Sequence, residues 1–347
     1  MVFTNTEISR QQAQYNITWL KTATADSLAK YLGARLINAY CGHATDANLR
    51  HYGASGGVVT AMIQAYLYTW HNTVAVTLGE DQIPRVYKFN EVDWIGQGSH
   101  YTTRLQPLPD SEKCKVPSGS PVIVSLPCQV KYWRKLYPEA IIIGLFCSHA
   151  VEEEGIDRLA RYSNIVPGDH GIIYREKAHG TTGLYITGLK VVQRGFAVAG
   201  NFIPIKEYWG KYLNFCYIPK SCLACTDLTA EMADISVGDA HGHKEFYKGK
   251  NVIITRSVRG ERLLNTAREF GAVDLAIINP TIIINTQPYI AVKKHKYNMK
   301  TRIYVSLRAI GCYMSTHKGL IGYLVYDPIM RLWAKQIAKK GYQVNGL

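Results

Sequence analysis

Four of the eight cysteines stand where their thiols could bind one metal centre. Cys222 and Cys225 form a CxxC pair, which lets two sulfurs from one loop bind the same centre, and Cys128 and Cys147 each follow an apolar run. Four thiolates suit a 4Fe–4S cluster and equally a structural zinc ion. The alternatives are a redox disulfide or a chance occurrence for the CxxC pair, and burial as small apolar side chains for Cys128 and Cys147.

A strand–helix–strand pattern positions Cys128 and Cys147. Residues 121–126 and 140–146 are continuous apolar runs, typical of parallel strands that are covered on both faces, and residues 129–136 between them read as a short helix. This order predicts a parallel pair joined by a right-handed crossover. Because ligands bind at the carboxyl ends of such strands, we expect both thiols at one end of the sheet.

A glycine-rich turn at Gly53–Gly57 precedes a second helical segment. Apolar residues from Val59 to Trp70 repeat at the three- and four-residue spacing of an amphipathic helix, and Ser55 is the predicted N-cap. The free amides and the positive dipole end of this helix would form a site for a phosphate or pyrophosphate. Glycine-rich turns before helices are also common in proteins that bind nothing there.

Three further segments contain candidate ligand-binding residues. The loop Gly98–Tyr101 and the pair Thr255-Arg256 are candidates for phosphate binding; Arg256 either pairs bidentately with a phosphate or is a solvated arginine at a strand end. Asp239, in a polar turn after a strand, is a candidate acceptor for a ribose hydroxyl or a flavin ring nitrogen. The sequence contains no GxSxG elbow, HExxH pair or Walker loop, which argues against hydrolase chemistry.

The composition is that of a folded α/β protein with two regions. The chain has 347 residues, 47% hydrophobic and 19% charged, which excludes disordered, collagen-like and coiled-coil proteins. We predict a mixed α+β arrangement: a parallel-type sheet with crossover helices, a Gly-rich β-containing insertion and basic C-terminal helices, with a possible strand at 281–285. The expected division is an α/β region with the phosphate-binding turn over residues 1–110, and a region with the cluster cysteines over residues 111–347.

The charge balance indicates anionic partners. Lys and Arg outnumber Asp and Glu by 40 to 26, and from Asn285 to Leu347 eleven basic residues face one acid, Asp327. Such a field would attract nucleic acid, a polyanionic cofactor or an acidic redox protein, although a basic surface also simply keeps a protein soluble. Because no apolar run of about 18 residues and no secretory signal pattern occur, we expect no membrane span and a cytoplasmic location.

Taken in order, these segments resemble the beta-subunit family of coenzyme F-420 hydrogenases and dehydrogenases. The resemblance extends from about Leu36 to Arg308. Its motifs are Ala54-Ser55-Gly56-Gly57, Gly98-Ser99-His100-Tyr101, Pro127-Cys128-Gln129, Gly144-Leu145-Phe146-Cys147, Cys222-Leu223-Ala224-Cys225-Thr226-Asp227, Ala233-Asp234-Ile235-Ser236-Val237-Gly238-Asp239 and Thr255-Arg256.

The resemblance implies an oxidoreductase that contains FAD and a 4Fe–4S cluster and moves electrons between coenzyme F-420 and an iron–sulfur protein or ferredoxin partner subunit. By position, the implied cluster ligands are Cys128, Cys147, Cys222 and Cys225. The residues implied to approach FAD are Ser55, Gly56, Gly57, Ser99, Tyr101 and Arg256. The full candidate cofactor-binding set adds His100, Asp239 and Thr255.

The chain departs from the family pattern in two places. Many relatives have a lysine at the position of His100, and many carry an N-terminal cluster segment, whereas Cys41 is the one cysteine in the first hundred residues here. We therefore expect no second cluster. Two other functions stay open: a ferredoxin-dependent reductase of another organic substrate, and a zinc-stabilised nucleic-acid-binding protein, against which the absence of a recognised nucleic-acid module counts.

Overall fold

A large mixed sheet covered by helices on both faces forms the centre of the protein. The loop with Ser99, His100 and Tyr101 and the basic tail from residue 291 onwards lie outside the described residues. The computed structural model describes residues 25–71, 73–78, 84–88, 90–91, 108–116, 120–148, 150, 170–179, 185–193, 200–204, 222, 225–240, 249–287 and 290.

Eight strands form the main sheet and three form a smaller sheet in the described part of the chain. The strands of the main sheet are β1 (Asn38–Ala44), β2 (Ala75–Leu78), β3 (Pro84–Tyr87), β4 (Val122–Ser125), β5 (Ile141–Leu145), β9 (Ile235–Asp239), β10 (Asn251–Thr255) and β11 (Val273–Ile277). Those of the antiparallel smaller sheet are β6 (His170–His179), β7 (Tyr185–Gln193) and β8 (Gly200–Pro204).

The main sheet has the strand order β11-β1-β10-β9-β5-β4-β2-β3. The three neighbouring pairs β2/β4, β4/β5 and β5/β9 are parallel, and the other four pairs are antiparallel. The predicted α/β fold is confirmed, with parallel pairing at the centre of a mixed sheet. The sheet takes strands from both sides of residue 110, so the two expected regions share one sheet while the boundary itself stays a prediction.

Helices cover both faces of this sheet. They are α1 (Ala25–Leu32), α2 (Ala47–Tyr52), α3 (Val58–Thr69), α4 (Asp110–Lys113), α5 (Val130–Leu136), α6 (Val258–Glu269) and α7 (Pro280–Thr286). Helices α3 and α6 pack on one face, and α1, α5 and α7 pack on the other, so the central strands are buried on both sides. No helix in the described residues is long and apolar enough to cross a membrane.

The predicted crossover unit is present between β4 and β5. The chain leaves β4 through a 3-10 turn at Pro127–Gln129, continues as α5 and returns as the parallel strand β5. Val130 and Trp133 are the buried residues of α5, and their three-residue spacing places them on one face of the helix. Local apolar patterns were sufficient to predict this crossover unit, because each of its elements buries a continuous set of side chains.

The strand predicted at residues 281–285 is wrong, because this segment forms helix α7. The Thr-Ile-Ile-Ile run favours a strand by propensity alone. Asn279 caps the helix instead, its side-chain oxygen accepting from the amide of Thr281 at 2.9 Å, and Pro280 occupies the first helical position. The strand of this region, β11, lies earlier in the chain.

Candidate cofactor site at the carboxyl end of the sheet

The two strand-end cysteines lie at equal positions beyond neighbouring parallel strands. Ser125 of β4 pairs with Gly144 of β5, and Cys128 and Cys147 each follow three residues later. Cys128 is exposed on the 3-10 turn and Cys147 is half-buried. The prediction that both residues leave the sheet at the same end is confirmed by this register.

The same row continues across the next two strands. Leu145 pairs with Val237 of β9, which brings Cys147 level with Asp239, and Asp239 pairs with Asn251 at the start of β10. The main-chain carbonyl of Asp239 accepts a hydrogen bond of 2.6 Å from the side chain of Gln287, just beyond α7. We call this row, with the turn described below, the carboxyl end of the sheet: Cys128, Cys147, Asp239, Asn251 and Gly53–Gly57.

The segment that follows the CxxC pair is hydrogen-bonded to Cys147. The amide of Cys225 donates to the carbonyl of Cys222 at 3.3 Å, so both cysteines belong to one turn. The thiol of Cys225 donates to the carbonyl of Asp227 at 3.1 Å, and the amide of Cys147 donates to the carbonyl of Leu228 at 2.8 Å. Three residues after the pair, the chain is therefore attached to the end of β5.

A missing side chain at Gly144 lets this segment pack directly on β5. A Cβ at position 144 would lie 2.8 Å from the Cβ of Ala233 and closer still to that of Ala230. Ala230 is fully buried and has φ 55°, in the left-handed region that few residues other than glycine adopt. The close approach therefore depends on a glycine at position 144.

Replacing Gly144 with valine should lower the free energy of unfolding by about 3 kcal/mol, at the upper end of overpacking effects, because the new side chain must displace Ala230 and Ala233. Urea unfolding followed by circular dichroism would measure this. Gly271→Ala is the control: nothing lies within 4 Å of a Cβ there, although its φ of 73° makes alanine strained by about 1 kcal/mol. Equal losses in the two variants would contradict the packing argument.

The thiols at this end fit a metal centre by their chemistry. Cys128, Cys147, Cys222 and Cys225 all carry thiols, and thiolates are the ligands that zinc and iron–sulfur clusters prefer. Across the described ranges, however, no three His, Cys, Asp or Glu side chains come close enough together to hold a metal ion. The fold thus brings the cysteine-bearing segments to one end of the sheet, and the ligand set stays a prediction.

The glycine-rich turn begins α3 in a way that the sequence did not show. Gly57 is the N-cap, with φ 74°, so the prediction that Ser55 caps the helix is wrong. A left-handed cap favours glycine because a Cβ is unfavourable there. The Ser55 hydroxyl donates instead to the carbonyl of Lys250 at 2.6 Å, and the carbonyl of Gly56 accepts from the amide of Ala44 at 2.7 Å. These bonds join the turn to the ends of β1 and β10.

The side chain of Asn251 binds two backbone amides that were expected to be free for a phosphate. Its side-chain oxygen accepts from the amide of Gly56 at 2.9 Å and from that of Val58 at 3.4 Å. The next amides of the first helical turn, those of Val59 and Thr60, have no carbonyl partner within the helix. The turn therefore retains part of its capacity for an anion. Nothing in the sequence around Asn251 had identified this residue.

Positive charge accompanies the turn. Arg50 donates from Nε to the carbonyl of Gly249 at 3.2 Å, and Lys250 follows directly. The N-terminal dipole of α3 adds a partial positive charge. Lys250 also acts on Cys41: burial raises the pKa of that thiol to about 12, against the opposing effect of the lysine charge. Cys41 is thus a neutral core thiol, whereas the turn itself suits a phosphate electrostatically.

Thr255 and Arg256 lie at the opposite end of the sheet. They follow Asn251 by four and five residues along β10, which at the rise of a strand separates Thr255 from Asn251 by about 13 Å. Thr255 is fully buried and pairs with Asn38 of β1. The structure therefore does not bring these two residues together with the turn and Asp239.

Arg256 is a buried link between separate parts of the fold. Its Nε donates to the Ser236 hydroxyl at 2.6 Å, Nη1 donates to the carbonyls of Leu32 and Arg35 at 2.7 and 2.9 Å, and Nη2 donates to the carbonyl and hydroxyl oxygens of Thr229 at 3.2 and 3.0 Å. The side chain is 3% exposed, so the interpretation as a solvated arginine is wrong. With these donors bound to protein acceptors, its contacts give no support to a phosphate role.

The environment of Arg256 also shifts its ionisation. Burial lowers the pKa of the guanidinium to about 10, against the opposing charges of Asp227 and Glu231. At neutral pH the group is still a cation, so its hydrogen bonds are charge-assisted and stronger than neutral ones.

The chain is similar to known proteins over part of its length. Residues 120–281 match the family described as the C terminus of the coenzyme F420 hydrogenase/dehydrogenase beta subunit. The beta subunit of the coenzyme F420 hydrogenase of Methanococcus voltae is 30% identical over 162 residues, which is 44% of this chain and 50% of that protein. The chain thus spans about half the length of this curated relative.

A solved structure is also similar. A chain from the F420-reducing [NiFe] hydrogenase complex of Methanosarcina barkeri aligns with a TM-score of 0.49 and 14% identity, covering 77% of this chain and 94% of that one. The matched family segment contains β4, α5, β5, β9 and the candidate cluster cysteines. Over residues 120–281, the chain is therefore similar to the beta subunits of coenzyme F420 hydrogenases and dehydrogenases.

Proposed function

We propose that the protein is an oxidoreductase subunit that transfers electrons between coenzyme F420 and an iron–sulfur partner, with FAD and a 4Fe–4S cluster as its bound groups. One observation carries the proposal: the carboxyl end of the sheet brings the cysteine-bearing segments and the glycine-rich turn to the same side of the molecule. The ends of parallel strands are where α/β proteins bind such ligands.

The cysteines would hold the cluster. Cys128 and Cys147 would come from the ends of β4 and β5, and Cys222 and Cys225 from the turn that is attached to Cys147 through Leu228. Two donor pairs from separate segments match the four thiolates that a 4Fe–4S cluster requires. The amide of Cys147 is already bonded to Leu228, which fixes the backbone of this ligand.

The glycine-rich turn would bind the phosphates of FAD. The amides of Val59 and Thr60, the dipole of α3 and the charges of Arg50 and Lys250 are the groups that favour an anion there. Cys147 and Asn251 lie two strands apart, or about 10 Å at the usual strand spacing. When bound, a flavin accepts a hydride and passes electrons on singly, which is the exchange that this reaction needs.

The charge of the protein favours anionic partners. The net charge of +14 would raise the local concentration of coenzyme F420, a deazaflavin with phosphate and glutamate carboxylates, and equally that of an acidic ferredoxin. Charge therefore supports electron transfer with anionic carriers and does not select the carrier.

Replacing Cys222 or Cys147 with serine should abolish cluster loading, because serine does not supply the thiolate. Anaerobically purified wild-type protein should contain about four iron atoms per chain and absorb as a brown iron–sulfur protein, whereas the variants should contain almost none. Cys114→Ser is the control, since this exposed cysteine follows α4 and is not among the proposed ligands. Unchanged iron in Cys222→Ser would remove it as a ligand, and a colourless zinc protein would overturn the proposal.

Activity would be tested with the same preparation. Adding reduced coenzyme F420 and a dye acceptor should restore the absorption of the oxidised deazaflavin and bleach the dye. A coloured protein that leaves the deazaflavin spectrum unchanged would contradict the choice of substrate, and would point to a ferredoxin-dependent reductase of another compound.

A further inference from the structure

Asn251 joins three elements at the carboxyl end of the sheet. Its side-chain oxygen accepts from the amides of Gly56 and Val58, and its side-chain nitrogen donates to the carbonyl of Gly238 at 3.2 Å. The residue is only 7% exposed, so water cannot easily take over these bonds. One side chain thus holds the glycine-rich turn against the end of β9.

The lack of a side chain at Gly56 leaves room for the side-chain amide of Asn251. A Cβ at Gly56 would lie 2.7 Å from the Asn251 side-chain oxygen, so a larger residue in the turn would push the two apart. An asparagine supplies an acceptor and a donor on a short stem, whereas aspartate lacks the donor and alanine lacks both. The turn and Asn251 therefore form one unit.

We propose that Asn251 is a positioning residue for the anion-binding turn: it orients the first turn of α3 toward a dinucleotide phosphate without occupying that site. This inference rests on the proposed function. Because the amide is uncharged, it satisfies Gly56 and Val58 while leaving the positive end of α3 uncancelled. The amides of Val59 and Thr60 remain for the phosphate.

Two substitutions of Asn251 separate the effect of a negative charge from the loss of its hydrogen bonds. Asn251→Asp retains an acceptor for the two amides but places a negative charge beside the phosphate position, whereas Asn251→Ala removes the support. We expect each variant to bind FAD about tenfold more weakly: the alanine variant because it loses a helix-cap interaction, and the aspartate variant because its charge repels the phosphate. The aspartate variant should be the more stable of the two, although it binds FAD no better.

Asn279→Ala is the matched control. Asn279 is also 7% exposed and accepts from a backbone amide at a helix start, but it caps α7 rather than α3. It should lose stability to an extent similar to Asn251→Ala and keep the wild-type affinity for FAD.

The experiment titrates FAD into the flavin-depleted full chain, follows flavin fluorescence, and measures urea unfolding of each variant in parallel. Tenfold weaker binding confined to the Asn251 variants, with the aspartate variant more stable than the alanine variant, would support the proposal. If the wild type binds FAD and the Asn251 variants bind it equally well, or if affinity only follows stability in all variants, the positioning role is overturned. A wild type that binds no FAD overturns the proposed function and this inference with it.

Discussion

Replacing Arg256 with methionine should lower the free energy of unfolding by about 3–5 kcal/mol. The substitution removes the donor from two buried carbonyl acceptors, those of Leu32 and Thr229, and from the partly buried carbonyl of Arg35. Each buried acceptor that loses its partner costs about 1–3 kcal/mol. The loss should therefore be large even in a chain with no cofactor bound.

Urea unfolding of the cofactor-free protein would measure this loss. Lys113→Met is the control, because that side chain is 47% exposed and its ion pair with Asp110, at 2.7 Å, is worth only about 0–1 kcal/mol. Arg256→Lys should lie between the wild type and methionine, since one ammonium retains the charge without the planar set of donors. If Arg256→Met unfolds at the same urea concentration as Lys113→Met, the buried link is not what stabilises this end of the sheet.

Removing the carboxylate of Asp234 should have a comparable effect, about 3 kcal/mol. One carboxylate oxygen accepts from Arg134 at 2.6 Å and from the amide of Ile142 at 2.9 Å, and the other accepts from the Ser257 hydroxyl at 2.7 Å. Asp234 is only 2% exposed, whereas Arg134 retains some contact with water, which places the effect at the lower end of the range for a broken buried pair.

A double-mutant cycle would separate the ion pair from the other bonds. Asp234→Ala and Arg134→Met should each be destabilising, and together they should cost less than the sum of the two, because the second change removes a partner that is already lost. Asp274→Ala serves as the surface control, since its carboxylate is 75% exposed and lies 3.8 Å from His43. Strict additivity at positions 134 and 234 would show that the two side chains do not support each other.

The central crossover unit could be predicted because its pattern is local. The apolar runs of β4 and β5, with a short helix between them, allow few arrangements of the chain. The strand–helix–strand order favours parallel pairing of the two strands. Parallel pairing alone then brings Cys128 and Cys147 to the same end of the sheet. The glycine-rich turn before α3 could be recognised for the same reason, since both turn and helix have their own sequence signals.

The wrong predictions concern residues whose hydrogen bonds depend on groups distant in the sequence. Ser55 was a plausible cap by residue type, but Gly57 caps α3 while Asn251, almost 200 positions later in the chain, takes the neighbouring amides. Arg256 was a plausible phosphate ligand, yet its acceptors include the end of α1 and the segment before β9, and the antiparallel direction of β10 places it at the far end of the sheet.

By itself, the sequence determined the central strand–helix–strand unit, the glycine-rich turn with its helix and the residue types available for binding, because these depend on patterns within short segments. Only the tertiary structure decided which polar groups are already satisfied by the protein. A hydrogen bond between residues remote in sequence leaves no periodic signal, and it removes a group from ligand binding as effectively as a substitution would. This is why the contacts of Asn251 and Arg256 could be identified only from the tertiary structure, in which the strands are paired.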